Sequence, residues 1–374
     1  MKRSGIATLK LHGGKAPWWL LKRMKPLAKC IFTIIADEFG PTNILNRLAD
    51  PIWFQALSNV LGFDWNSSGV GPVTCGVLKS VLTLEDHGIQ VCGGKGARSR
   101  ATPTELKDLE NNPLFEGSVE KLVYASKMAA KIDNTAIQAG YQLYHHCIFV
   151  SLGNAWTVVQ QGMNLDARMA RRYHWQSDGL TSFVEEPPEN IIGEKVHLYV
   201  LDMTARASEE CRKISLDLVK ESPIKTMKDY QLLTSYSKTS LLNWIKPTGV
   251  KVPFVHYKLL PKRMNWDLLK QIYDFQPANY EELLAVKGVG PATVRGLALV
   301  SELIYDQVPT WKDPVKFSFA YGGKDGVPFP VNRKAMDDSI YILQNAIHAA
   351  KVGEKEKLDA IRRLKTYSEK ILNF

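Results

Sequence analysis

The chain has 374 residues, 45% of them hydrophobic and 23% charged, with a formal net charge of +10. This is the balance of a folded soluble protein with room for two or three domains, and its basic excess favours an anionic partner. Five scattered cysteines without a C-x-x-C pair argue against a zinc ribbon or a disulfide framework, and no signal peptide or membrane-length apolar run is present, so a reducing cytoplasm is the expected location and no membrane is expected as a partner.

The first half reads as mixed. Helices are expected over residues 26–38 and 51–61, then a loop leading into a helix over 73–82, and a short strand over 88–92. Further helices are expected over 118–133 and 135–139. Residues 144–150 and 155–161 run apolar or alternate around Gly153 and Asn154, the pattern of a β-hairpin. The run Glu185-Glu-Pro-Pro-Glu189 breaks structure and marks a boundary. From Asp202 onward the chain reads as mainly helical, interrupted by a long loop over 310–331 and ending in a charged amphipathic helix over 351–374. The expected class is α+β. Residues 1–190 form a mixed α/β unit that would carry any activity, and residues 191–374 form a mainly helical unit that would bind nucleic acid.

The most informative stretch lies at 279–304. Asn279 and Glu282 have capping-box spacing, and Leu283, Leu284 and Val286 supply an apolar side. Gly288 and Gly290, flanking Val289, permit a tight hairpin, and Pro291 suits the first turn of a second helix. Free N–H groups at that helix start attract an anion. Lys287 and Arg295 add positive charge, and Thr293 belongs to the same binding set. The segment resembles the helix-hairpin-helix motif, which grips a nucleic-acid phosphate backbone without reading bases. Val294 departs from it, since the motif usually has Ala there. The copy of Gly-Val-Gly-Pro at residues 69–72 has no amphipathic helix before it and reads as a loop.

Gly-Gly-Lys occurs at 13–15, 93–95 and 322–324. Successive glycines form a concave nest of N–H groups for an anion. The middle copy, with Lys95, Arg98 and Arg100, is the one expected to contact nucleic-acid phosphate. It lacks the Walker spacing, so no nucleotide cofactor is expected, and none of flavin type either.

A second cluster lies in the middle of the chain. Lys127 and Lys131 share a helix face, with Asp133 and Gln138 following. On a strand, His145 and His146 point to opposite faces, as do Gln160 and Gln161 on the paired strand. One face then presents a His and a Gln near Asp133 and Lys131. That set would hold Mg2+ or Mn2+ and activate water for phosphodiester cleavage. The expected catalytic residues are therefore Asp133, His145, His146, Lys131 and Gln160, with the metal ligands among them left open. Arg171 and Arg172, in a run with Tyr173, His174 and Trp175, read alternatively as a surface where cations hold phosphate and aromatics stack bases. Glycosylases that carry the helix-hairpin-helix place a catalytic Asp shortly after the second helix, which implies Asp313 for that role. Thr293 and Val294 stand where the lyase members have lysine, and the usual Val-Asp-x-His is missing.

Seven segments carry a resemblance that covers most of the chain: His12-Gly-Gly-Lys-Ala-Pro-Trp18, Asp50-Pro-Ile-Trp-Phe-Gln55, Leu61-Gly-Phe-Asp-Trp65, Gly93-Gly-Lys-Gly96, Leu143-Tyr-His-His146, Trp156-Thr-Val-Val-Gln-Gln-Gly-Met-Asn164 and Ala170-Arg-Arg-Tyr-His-Trp175. As a set they resemble the domain of unknown function 763, a prokaryotic family known mainly from thermophilic archaea and some bacteria. The resemblance implies no activity. The residues themselves point to a nucleic-acid-binding protein of DNA repair or processing, DNA before RNA. It would be either a metal-dependent phosphodiesterase or a non-catalytic DNA/RNA-binding scaffold, with the glycosylase third.

Overall fold

The computed structural model describes residues 5–10, 16–63, 68–185, 190–191, 197–239, 259–314 and scattered positions between 341 and 363. The Gly-Gly-Lys copies at 13–15 and 322–324, residues 64–67 of the first loop, most of the 185–189 break, the long loop beyond 314 and most of the terminal helix expected over 351–374 lie outside the described residues.

Strand β1 (Gly5–Lys10) is followed by helices α1 (Trp18–Phe39), α2 (Pro41–Ala49), α3 (Pro51–Val60), α4 (Val70–Lys79) and the short α5 (Leu84–His87). Next come β2 (Ile89–Lys95), α6 (Ala97–Arg100), α7 (Thr102–Lys107) and α8 (Val119–Lys131). One turn of wider π-helical winding (Ile132–Ala136) then leads into β3 (Ile137–Gln138). The helix expected over 135–139 is thus not formed. Ile137 and Gln138 pair instead with β8 (Leu201–Asp202), and the ladder takes the backbone groups that a helix would need. Strands β4 (Gln142–Ser151), β5 (Trp156–Asn164) and β6 (Met169–Gln176) run as a meander, followed by β7 (Asn190–Ile191). After β8 the described elements are helical: α9 (Glu209–Glu221), α10 (Pro223–Thr239), α11 (Trp266–Phe275), α12 (Tyr280–Ala285) and α13 (Pro291–Tyr305).

The fold is α+β, built on one six-stranded sheet of order β2-β4-β5-β6-β1-β7. Neighbours pair antiparallel except β1 and β7, which pair parallel. The β4–β5 hairpin turns at Gly153 and Asn154, and Asn154 takes φ 72°, which its side chain tolerates better than most. Helices cover both faces of the sheet, so its central strands are buried on both sides and alternation gives way to continuous runs such as Cys147-Ile-Phe-Val150.

On one face Ile89, Val91, Cys147, Phe149 and Val159 pack with α1 to α4. On the other face Cys92, Ile148, Val150, Val158 and Trp175 pack with α8 and with α9 to α13. This second core runs from Leu84 to Val300, so residues on both sides of position 190 share one cluster. The helix starts follow local chemistry. Asp50 accepts from the Ile52 and Trp53 N–H groups at 2.8 and 3.2 Å ahead of Pro51, and Asn279 accepts from the Glu282 N–H at 2.9 Å. Glu282 reaches back to the Ala278 N–H at 2.8 Å, closing a reciprocal cap one residue further out than the usual box. No described helix is long and apolar enough to cross a membrane.

Candidate functional site

Helix α8 and the π-helical turn that follows it have two working faces. Ser126, Ala129 and Asp133 point into the sheet, whereas Lys127, Lys131 and Asn134 line an open cleft of about 1570 Å³. Residues two apart on a helix are turned by roughly half a revolution or a little more. That angle separates Lys131 from Asp133, which sequence spacing alone places in one centre.

The inward face builds a closed polar chain. Ser126 Oγ meets His146 Nε2 at 2.8 Å, and His146 Nδ1 meets Gln160 Oε1 at 2.7 Å. Gln160 Nε2 donates to Ala129 O at 2.9 Å and to Asp133 Oδ2 at 2.5 Å, while Trp175 Nε1 donates to the same Asp133 oxygen at 2.7 Å. The network assigns a neutral His146 that donates from Nδ1 and accepts at Nε2. Burial pushes the Asp133 carboxyl up to about 7, against the hydrogen bonds from Trp175 and Gln160 and the charge of Arg171. Burial also pushes His146 down to about 4, partly offset by Gln160. Asp133 is 3% exposed and His146 6%. Asp133, His146 and Gln160 therefore come together, deep in the core, whereas Lys131 lies on the cleft side and His145 on the opposite face of β4.

His145 takes the opposite face of β4, as strand alternation requires. There it meets Cys147, two residues on along the same face, and Cys75 of α4, with one ligand atom from each residue lying within 4.8 Å of the others. Burial raises the Cys75 thiol, and a hydrogen bond from Cys75 draws Cys147 down. A search for C-x-x-C spacing passes over this group. The readable signal is the pair His145 and Cys147 at i and i+2 on a strand.

Arg171 and Arg172, expected at a nucleic-acid surface, are completely buried. Arg171 Nη2 pairs with Asp313 Oδ2 at 2.7 Å and lies over the Tyr141 ring at 4.6 Å. Arg172 donates to His174 Nε2 at 2.8 Å and to Gln55 Oε1 and Pro51 O at 3.3 Å, above the Phe54 ring. They are structural cations, each held by partners more than a hundred positions away in the chain. The same ion pair encloses Asp313, whose Oδ2 also accepts the His197 N–H at 2.9 Å. Among the described residues no open cleft is lined by Asp313.

Lys95, Arg98 and Arg100 are exposed at the end of β2 and on α6, with Lys95 over the Tyr144 ring at 5.9 Å. The expected anion nest beside them already has an occupant. The Gly93 N–H donates to Glu105 Oε2 at 2.6 Å, Lys79 pairs with that same carboxylate oxygen at 2.6 Å, and the Gly96 N–H goes to Tyr144 O at 2.8 Å.

The outward face of α8 meets the turn between α12 and α13. Lys131 Nζ donates to Val289 O, Gln138 Nε2 donates to Pro291 O at 2.9 Å, and Arg295 Nη1 donates to Gln138 Oε1 at 3.1 Å. Tyr124 OH donates to Glu281 Oε1 at 2.7 Å from the same side of α8. Burial lowers both Lys131 and Arg295. Gly288 has φ +99°, a conformation that side chains with a Cβ rarely adopt, and an added Cβ would press on Leu268 at 3.1 Å. Gly290 needs no such freedom: its φ is −141° and an added Cβ would meet only Gly288 O at 3.9 Å. No side chain caps the start of α13, and Thr293 and Val294 are buried behind it. Among the described residues, the cleft around this start carries Lys107, Lys127, Lys131, Lys287 and Arg295 against two acids, Glu110 and Glu120. Lys107, Lys127 and Lys287 are exposed.

Neither the curated proteins nor the solved structures contain a match to this chain. A family described as Protein of unknown function (DUF763) matches over residues 5–331. That span takes in the polar chain under α8, the cysteine and histidine group on the other face, and the cationic cleft, and the chain belongs to this family.

Proposed function

We propose that this chain binds the sugar–phosphate backbone of nucleic acid, DNA before RNA, in the cleft between α8 and the α12–α13 turn, and that it serves DNA repair or processing. One convergence carries the reading: the uncapped start of α13, a turn with Gly288 at φ +99°, and exposed Lys107, Lys127 and Lys287 all open on one cleft. Main-chain N–H groups at a helix start and lysine ammoniums complement phosphate oxygens, and such contacts position a duplex without reading its bases. The turn supports the resemblance to the helix-hairpin-helix motif, and the repair or processing role rests on that resemblance.

Binding without cleavage is the form the side chains favour. The carboxylate and imidazole that the phosphodiesterase reading needs, Asp133 and His146, are saturated by Gln160, Trp175 and Ser126 inside the core. Asp313 is equally enclosed by Arg171.

Fluorescence anisotropy with labelled duplex DNA, single-stranded DNA and duplex RNA of several sequences tests the reading across a salt series, with and without Mg2+ or Mn2+. The expected result is sequence-independent binding, tightest for DNA, that weakens steeply with salt and leaves the strands intact. Absence of binding at low salt overturns the proposal. Metal-dependent cleavage reinstates the phosphodiesterase.

A further inference from the structure

We propose that Cys75, His145 and Cys147 bind one thiophilic divalent metal ion, zinc before others, as a structural clamp between α4 and the central sheet. Three observations converge on it. One ligand atom from each residue lies within 4.8 Å of the others, and all three side chains are fully buried. Four-coordinate zinc with bonds of about 2.3 Å to sulfur sets neighbouring sulfurs about 3.8 Å apart, so closing these ligands on an ion needs only small movements.

The second observation is His145 itself. Neither of its buried ring nitrogens has a nitrogen or oxygen partner, and its polar contact is the Cys147 thiol, which it helps to draw down. The other buried histidines among the described residues are served: His146 by Ser126 and Gln160, His174 by Leu48 O and Arg172, and His87 by Thr33. An imidazole with no nitrogen or oxygen partner, in a core that gives one to its other histidines, points to an occupant, and the two neighbouring thiols specify what kind.

The third is the chemistry of the donor set. Two thiolates and one neutral imidazole select soft or borderline ions and disfavour Mg2+ and Mn2+, so this site is distinct from the hard-metal centre expected from sequence. Binding releases the two thiol protons to solvent. The resulting assembly, one M2+ with two thiolates, carries no net charge and so suits a buried position. Gln161, the cross-strand partner of His145, lies on the same face of the sheet and has a buried, unpartnered Oε1. A Cβ on Gly71 would touch that oxygen, which places it one helical turn before Cys75 on α4. Gln161 Oε1 therefore lies on the face of the sheet that carries the ligand group, and it is the candidate oxygen for a fourth position.

The test uses the full chain. Metal content of the purified protein is read by elemental mass spectrometry, and protein unfolded with chelator is refolded with cobalt(II) as a spectroscopic probe. One equivalent of zinc is expected, together with a thiolate-to-cobalt charge-transfer band and visible bands of tetrahedral intensity. Cys75→Ser and Cys147→Ser should each lower bound metal by roughly tenfold or more. Cys92→Ala, a buried thiol on the opposite face of the same sheet, should leave it unchanged. The cobalt spectrum of the wild-type chain needs no variant to fold. Refolded, cooperatively unfolding wild-type protein without that band overturns the proposal. So does metal retained in a Cys75→Ser, Cys147→Ser double variant, or a Cys75–Cys147 disulfide in metal-free native protein.

Discussion

Lys131 donates its ammonium to the carbonyl oxygen of Val289, and so fastens α8 of the sheet-packing half to the turn between α12 and α13. This bond joins two features that sequence spacing treats as separate sites, one for chemistry and one for binding. It also gives Lys131 a structural role. A half-buried lysine whose charge is answered by a backbone carbonyl holds the turn in place, while exposed Lys127, one turn earlier on the same face, remains for a ligand.

Charge reversal at the cleft should therefore separate the lysines. Lys127→Glu and Lys287→Glu should leave thermal unfolding unchanged and weaken DNA binding severalfold. Each should also reduce the slope of log affinity against log salt, by about 0.9 for every phosphate no longer neutralised. Lys131→Ala should lower stability as well as binding, because it frees the turn. Anisotropy titrations beside calorimetry distinguish the two patterns. Equal salt slopes in wild-type and Lys127→Glu, Lys287→Glu protein would place the ligand elsewhere.

The two turn glycines should behave differently. Gly288→Ala forces a Cβ into φ +99° and against Leu268, a strain of about 1–3 kcal/mol that should appear as a lower unfolding midpoint. Gly290→Ala fits its backbone without strain and should fold normally. If phosphate approaches the start of α13, the same methyl group should nevertheless weaken binding. Normal affinity in the Gly290→Ala protein argues for an approach along the lysines alone.

Asp133 and His146 give opposite pH signatures. Asp133 is pushed up to about 7 in the fold, so its protonated form is the one that fits. Its contribution is whole below about pH 4 and is lost as pH rises through about 7. His146 is pushed down to about 4, so its neutral form fits. Its contribution is present above about pH 6.5 and is lost as pH falls through about 4. Asp133→Asn cannot ionise, so urea unfolding from about pH 4 to about pH 8 should show the wild-type advantage over this variant shrinking steadily as pH rises. A constant difference would mean that the carboxyl titrates normally. DNA binding should be unchanged in the same variant.

The Arg171–Asp313 pair should be strongly coupled. Both side chains are fully enclosed, so Arg171→Ala or Asp313→Ala leaves an unanswered charge and should cost about 3–5 kcal/mol. Arg171→Met with Asp313→Leu should cost less than either alone. Denaturant titration of the two single variants and the double variant checks this. Additive losses would show that the residues act independently.

Much of the local structure is legible in the sequence. Asp50-Pro51 and Asn279 announce helix starts, and Gly153-Asn154 between apolar runs announces the hairpin. The pairing of His146 with Gln160 across β4 and β5 also follows from alternation. Strand β6 is not legible. Met169-Ala-Arg-Arg-Tyr-His-Trp-Gln176 reads as a cationic aromatic surface because the groups that hold its arginines inside lie far along the chain, Asp313 pairing with Arg171 and Gln55 accepting from Arg172, and no local window contains them. Asp133 misleads for the opposite reason. Lys131 and Asn134, close to it in sequence, line the cleft, but helical rotation turns Asp133 into the core beside Ile132. The cysteine and histidine group escapes because strand β4 and helix α4 contribute its members from positions seventy residues apart.

Strand β1 lies between β6 and β7, paired antiparallel with β6 from Ile6 opposite Tyr173 to Lys10 opposite Met169. During synthesis β1 leaves the ribosome long before that partner exists. At about 5–20 residues per second, the interval between Ile6 and Tyr173 is on the order of 10–30 s. The β4–β5–β6 meander, by contrast, closes through short connections as soon as it emerges. The strand made first is therefore among the last to join its sheet, and its unpaired backbone must be kept from other strands throughout that wait.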